Sequence, residues 1–266
     1  MHVDQLIENL KQSSIVEIPL NWGQGRTVYG GLITALMVSH AQLLLNDENK
    51  TLKSASITFV GPVTSGEKAE LVSRILRSSK SVTTIQVEVI QNTEVVSIII
   101  ASFALPRESS IAITHSASEA QLSFPKDYTL LPYMEGIMPE FLNHFDVILV
   151  EGDIPFSNSK KTGFTGWMKL KSSEEIAEIK LPHLFLLMDM WPASVLPMFN
   201  RPAPASSLTW DFDLIDAEST YNGDSWWKYE VNAEYAANGY VYEKAQLWDE
   251  TGKLVADSRQ TVAIYL

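Results

Sequence analysis

A lone carboxylate inside an apolar run is the first residue here that suggests chemistry. Asp189 stands in the stretch LPHLFLLMDMWPASVL, residues 181–196, beside Leu186, Leu187, Met188, Met190 and Trp191. Burying a carboxylate without a purpose is costly. A partly desolvated one has a raised pKa and can take a proton from water, which is the work of a general base. The plain alternative is a helix-terminal charge or a cap ahead of Pro192. A second feature is the pair Gly30-Gly31, which opens an apolar helical run at about 31–45. Bare backbone N–H groups at a helix start can hold an oxyanion, aided by the helix dipole. The pair can equally serve only a tight turn.

Other chemistries fail on residue types. There is no cysteine, which removes thiolate catalysis, disulfides and Cys-ligated zinc. The five histidines, at 2, 40, 115, 144 and 183, have no metal-ligand spacing. No G-x-S-x-G elbow is present. The loop GQGRTVYGG, residues 23–31, lacks the Lys-Ser/Thr ending of a phosphate loop. Net charge is −12 with no basic cluster, which argues against nucleic acid and anionic membranes as partners. It leaves room for an anionic substrate held by a few local cations.

The N-terminus MHVDQLIENL is polar, without an apolar signal core, and no apolar run is long enough to span a bilayer. The expectation is a cytoplasmic protein. Composition is that of an ordinary globular chain, 45% hydrophobic and 20% charged.

The elements that must position Asp189 follow from periodicity. A short helix is expected over 1–12 and a strand over 14–22, then the loop 22–31 and the helix 31–45. Strands follow at 52–60, 68–79, 81–91 and 95–105. Residues 106–140 read as a linker. Strands resume at 144–150 and 163–171, a helix is expected over 181–196, and strands return at 206–214, 226–235, 239–248 and 254–264. Strand, helix, four strands thus occurs twice, at an offset of roughly 150–160 residues. A helix wrapped by one curved sheet leaves a sheet edge open, and a second such unit closes it.

This layout resembles the acyl-CoA thioesterase II type (TesB-like) of double hotdog thioesterases. GRTVYGGLITALM, residues 25–37, looks like the family's Phe-Gly-Gly start of the first hotdog helix, with Tyr29 in place of the Phe. Residues 54–106 are similar to its first meander, and GKLVADSRQTVAIY, residues 252–265, resembles its closing strand. The resemblance implies an α+β double hotdog: two long helices, each wrapped by an antiparallel sheet, the sheets joined into one. It implies an N-terminal hotdog at 1–105, a linker at 106–140 and a C-terminal hotdog at 141–266.

The family's attacking water is held by an Asp, a Thr or Ser, and a Gln. The matching positions are Asp189, Ser207 in SSLTWDF and Gln260 in ADSRQTVAIY. Tyr29, Gly30 and Gly31 become candidate substrate-binding residues. The chain departs from the family at Thr209-Trp210, where Asp-His is usual. The implied activity is hydrolysis of acyl-CoA to free acid and CoA, with no metal or organic cofactor, in a homodimer or homotetramer. The alternatives are a catalytically weak hotdog protein that binds acyl-CoA or an acyl carrier, and a hydratase or dehydratase, which would want a histidine in the site.

Overall fold

The computed structural model describes residues 1–113, 124–171, 176–217 and 219–265. It opens with α1 (Val3–Leu10), a short β1 (Ile15–Glu17), and a two-strand ribbon, β2 (Gly23–Gln24) and β3 (Thr27–Val28). The long α2 (Gly30–Leu45) follows, then β4 (Thr51–Phe59), β5 (Lys68–Ser78), β6 (Val82–Gln91) and β7 (Glu94–Ala104). The second half holds β8 (Phe145–Glu151), β9 (Phe164–Leu170), β10 (Glu178–Ile179), α3 (Leu181–Met188) and β11 (Ala205–Leu214). It closes with β12 (Tyr221–Asn222), β13 (Trp227–Ala237), β14 (Tyr240–Trp248) and β15 (Leu254–Ile264).

One antiparallel sheet of eleven strands runs through the molecule, in the order β1-β5-β6-β7-β4-β11-β15-β14-β13-β9-β8. Outward from the β4–β11 seam the first five strands follow the same order of elements on either side, and β8 adds a sixth to the second half. Thr58 pairs with Thr209 and Ile57 with Trp210 across that seam. One face is apolar by strict alternation. In β6, Thr83, Ile85, Val87, Val89 and Gln91 are buried, and their neighbours are less so.

That face wraps the helices. α2 is apolar on all sides, as a helix enclosed by a sheet and a second helix must be. Leu32, Ile33, Ala35, Leu36, Met37, Val38 and Ala41 are all buried. Its two buried hydroxyls turn back onto the helix, Thr34 Oγ1 donating to the Gly30 carbonyl and Ser39 Oγ to that of Ala35. The helix ends at Asn46, whose φ of 45° is the left-handed conformation of a C-cap.

Two elements differ from expectation. The strand expected over 14–22 is only Ile15–Glu17, and a 3₁₀ turn occupies Leu20–Trp22. Pro19 fixes φ and lacks the N–H that a continuing strand would donate. The second helix is not long: α3 spans eight residues and stops at Asp189 rather than Leu196. Pro192 disfavours helical geometry at the residue before it and supplies no N–H to bond back. Asp189 is therefore the residue at which the helix gives out.

Candidate active site

α2 and α3 meet so that the end of α3 faces the start of α2. The joint is an aromatic one. Tyr29, just before α2, is buried, and its hydroxyl donates to the Leu186 carbonyl in the last turn of α3. Its ring stacks on Phe141 at 4.1 Å and lies edge-on to Phe145. Burial, reinforced by the negative charge of Asp189, holds the Tyr29 phenol well above its ordinary value. Tyr29 thus sets the spacing of the two helices and presents no surface of its own.

Asp189 lies at the tip of this joint. Its Oδ1 accepts a hydrogen bond from Gln260 Nε2 at 2.9 Å. The backbone N–H of Gly31 also donates to its carboxylate. Tyr29, the cap position of α2, offers no side-chain acceptor, so Asp189 from the other helix satisfies that N–H. A carboxylate at a helix N-terminus is favoured by the dipole. Burial works the other way and wins, and with a small push from Glu243 the Asp189 carboxyl is raised to about 7.

The glycines fit this contact. A Cβ on Gly30 would lie 2.9 Å from Asp189 Oδ2 and 3.2 Å from the Phe59 ring. A Cβ on Gly31 would fall 2.5 Å from the Tyr29 ring. The Gly31 N–H has a partner other than the oxyanion that the sequence suggested: it holds the Asp189 carboxylate.

Gln260 relays to Ser207. Ser207 Oγ donates to Gln260 Oε1 at 3.1 Å. In register, Gln260 on β15 pairs with Trp210 on β11. Ser207 is three residues from Trp210 and in a regular strand would face the other side of the sheet. A bulge between Ser207 and Thr209 inserts one residue and turns Ser207 to the Gln260 side. The three residues singled out in the sequence therefore form one chain, Ser207 to Gln260 to Asp189. β4 carries the matching bulge between Leu52 and Ser54. The corresponding residues there are Leu52 and Ala101, so the first half has no such polar chain at the equivalent place.

The Thr209-Trp210 departure is a packing matter. Trp210 is fully buried, edge-on to Phe185 of α3 at 5.6 Å, and Thr209 is exposed on the opposite face. The wall beyond Asp189 is aromatic. Trp191 stacks on Tyr229 at 5.9 Å and donates from Nε1 to the Met168 sulfur. Gly166 gives the indole room, since a Cβ there would lie 2.2 Å from it.

Two polar residues of this region were missed in the sequence, Glu243 and Ser194. Glu243 is buried on β14, paired with Gln260. Its Oε2 accepts from Ser194 N at 2.8 Å and from Ser194 Oγ at 2.6 Å. A signal existed: in YVYEKAQLW, Glu243 falls in phase with Val241, Ala245 and Leu247, so the alternation points a charge inward. Among the described residues no cluster of histidines and carboxylates could hold a metal ion.

A family model described as the acyl-CoA thioesterase C-terminal domain matches residues 121–264, and one described as the N-terminal domain matches residues 18–104. Among solved structures, a hot dog fold protein of unknown function from Alicyclobacillus acidocaldarius superposes with a TM-score of 0.80 at 17% identity, over 95% of this chain and 92% of that one. A putative thioesterase II from Thermobifida fusca gives 0.74 at 20% identity, over 95% and 92%. An acyl-CoA thioesterase II from Mycobacterium marinum gives 0.68 at 15% identity, over 94% and 91%. At these identities the likeness is one of fold. No curated protein sequence matches the chain. With both domain models matched in order over most of its length, the chain belongs to the acyl-CoA thioesterase family, of the thioesterase II (TesB-like) type.

Proposed function

We propose that this protein hydrolyses acyl-CoA thioesters to free acid and CoA, using a water activated by Asp189. The observation that carries the reading is the Ser207–Gln260–Asp189 chain, ending on a carboxyl raised to about 7. A base poised near the working pH combines a useful ionised fraction with a strong pull on the proton. In the reaction, Asp189 takes a proton from water as the hydroxide attacks the thioester carbonyl. Gln260 and Ser207 orient that water. The tetrahedral intermediate then expels the CoA thiolate, which takes up a proton as it leaves. The start of α2 supplies a positive dipole end beside the developing oxyanion. Gly31 acts first by holding Asp189, Gly30 leaves room for that carboxylate, and Tyr29 acts through packing, by setting the spacing of α2 and α3.

The same reading takes the chain as a double hotdog, with halves at 1–105 and 141–266 joined by 106–140, and as a homodimer or homotetramer. Light scattering of the purified protein checks the assembly. The activity is tested by thiol release from a panel of acyl-CoAs, acetyl to palmitoyl, with wild type and Asp189→Asn. Turnover that falls by about 10²-fold or more in the variant is the expected result. Saturable binding with no turnover of any member would favour an acyl-CoA-binding protein instead. Turnover indifferent to the substitution would place the base elsewhere.

A further inference from the structure

The proposed reaction has work for one carboxyl, yet a second is buried beside it. Glu243 is 7% exposed and sits on β14 directly across from Gln260 on β15. Its neighbour Ser194 is completely buried and lies five residues beyond Asp189, in the segment that continues from α3. Both the backbone N–H and the hydroxyl of Ser194 converge on one oxygen of Glu243. A buried carboxylate is retained only where donors hold it. Here the donors come from the strap that carries Asp189, and the acceptor comes from the strand beside Gln260. The pair thus ties the base to the sheet that orients it.

We propose that Glu243 is a positioning residue for the Asp189 site, pinning the Asp189 strap through Ser194 and setting its own carboxylate against that of Asp189. This rests on the reading of Asp189 as the base. The groups around Asp189 fit the role. α2 and the residue before it offer the Gly31 N–H and the Tyr29 phenol. β13 offers the Tyr229 phenol, β14 Glu243 and β15 the Gln260 amide. None of these is a cation, so nothing among them offsets the charge of Glu243. Tyr229 feels both carboxylates and, chiefly by burial, stays protonated well above its ordinary value. Glu243 itself is raised by burial, while its two bonds from Ser194 favour the ionised form.

The test is the pH dependence of kcat/KM for the acyl-CoA turned over fastest, in wild type, Glu243→Gln and Ser194→Ala. A like charge disfavours ionisation of Asp189, so its removal lets Asp189 ionise at lower pH. Glu243→Gln keeps an acceptor for Ser194 and moves the acid limb to lower pH. Ser194→Ala withdraws one donor from the Glu243 carboxylate and moves the limb the same way by less. It removes a single oxygen from a buried site, so it keeps the question open even where Glu243→Gln does not fold. Lower kcat with the limb unmoved in the folded variants would make the pair merely structural and overturn the proposal. A wild type without thioesterase activity, or a limb that persists in Asp189→Asn, would instead defeat the reading of Asp189 as base.

Discussion

Asp189 is held by two hydrogen bonds that favour its charge and by burial that opposes it, and the balance has a consequence for stability. Its carboxyl ionises near 3.8 when unperturbed and near 7 in the folded chain. Between those values the native state holds the extra proton, so stability falls as pH rises through that window. The contribution is fully present below the unfolded value and gone above the folded one. Asp189→Asn cannot ionise and escapes the cost. It is expected to melt later than wild type at pH 8, by on the order of 2 kcal/mol given the residue's partial exposure, and nearly with it at pH 4. Thermal melts of both proteins at the two pH values check this. An equal or lower melting temperature for the variant at pH 8 would deny the strained carboxylate. At this scale the sequence was informative because an acid among Leu, Met and Trp is anomalous on its face. Ser207 and Gln260 carry no such mark. They were found by family pattern, and a bulge that composition does not reveal is what brings Ser207 to Gln260.

Elements matter here through the place where α2 begins. Gly30 and Gly31 are needed less for unusual dihedrals than for what crosses them. Gly31→Ala would drive a methyl into a Tyr29 ring that Phe141 and the Leu186 carbonyl hold in place. A loss of about 1–3 kcal/mol is expected, measured by denaturant unfolding. Gly30→Ala meets Asp189 Oδ2 instead and is expected to lower kcat more than stability. The reverse ordering of the two variants would mean that the contacts at this helix start are wrongly assigned. Most strand limits were legible because alternation survives in half-buried strands. The limits that were missed, at 14–22 and 181–196, both involve a proline, Pro19 and Pro192, which stopped an element that the apolar pattern alone carried onward. At 181–196 the error is informative, since the residue at which the helix stops is the proposed base.

For the whole molecule, the β4–β11 seam makes one sheet of two halves, and among the described residues the larger of two buried clusters draws on both halves, from Val3 to Ala256. The twofold recurrence of elements was visible in the order of apolar runs, whereas the seam register was not, because it depends on contacts far apart in sequence. An exposed sheet edge is a route to pairing with another chain. The structure shortens β1 to three residues and gives the β8 edge a partner, with the Leu131 N–H donating to the Val147 carbonyl. Unfolding is expected as one transition, with tryptophan fluorescence and far-UV circular dichroism coincident in urea. Two separated transitions would show that the halves fold independently. Among the described residues no helix is long and apolar enough to cross a membrane. All of these features serve one claim, that a carboxyl lodged between two helix ends activates water against a thioester. The most direct measurement is the rate of thiol release from acyl-CoA between pH 5 and 9, in wild type and in Asp189→Asn. The account predicts a wild-type rate that rises with pH to a plateau, half-maximal near 7, and a variant rate that is low throughout. A pH-independent wild-type rate, or a variant that keeps the wild-type profile, would contradict it.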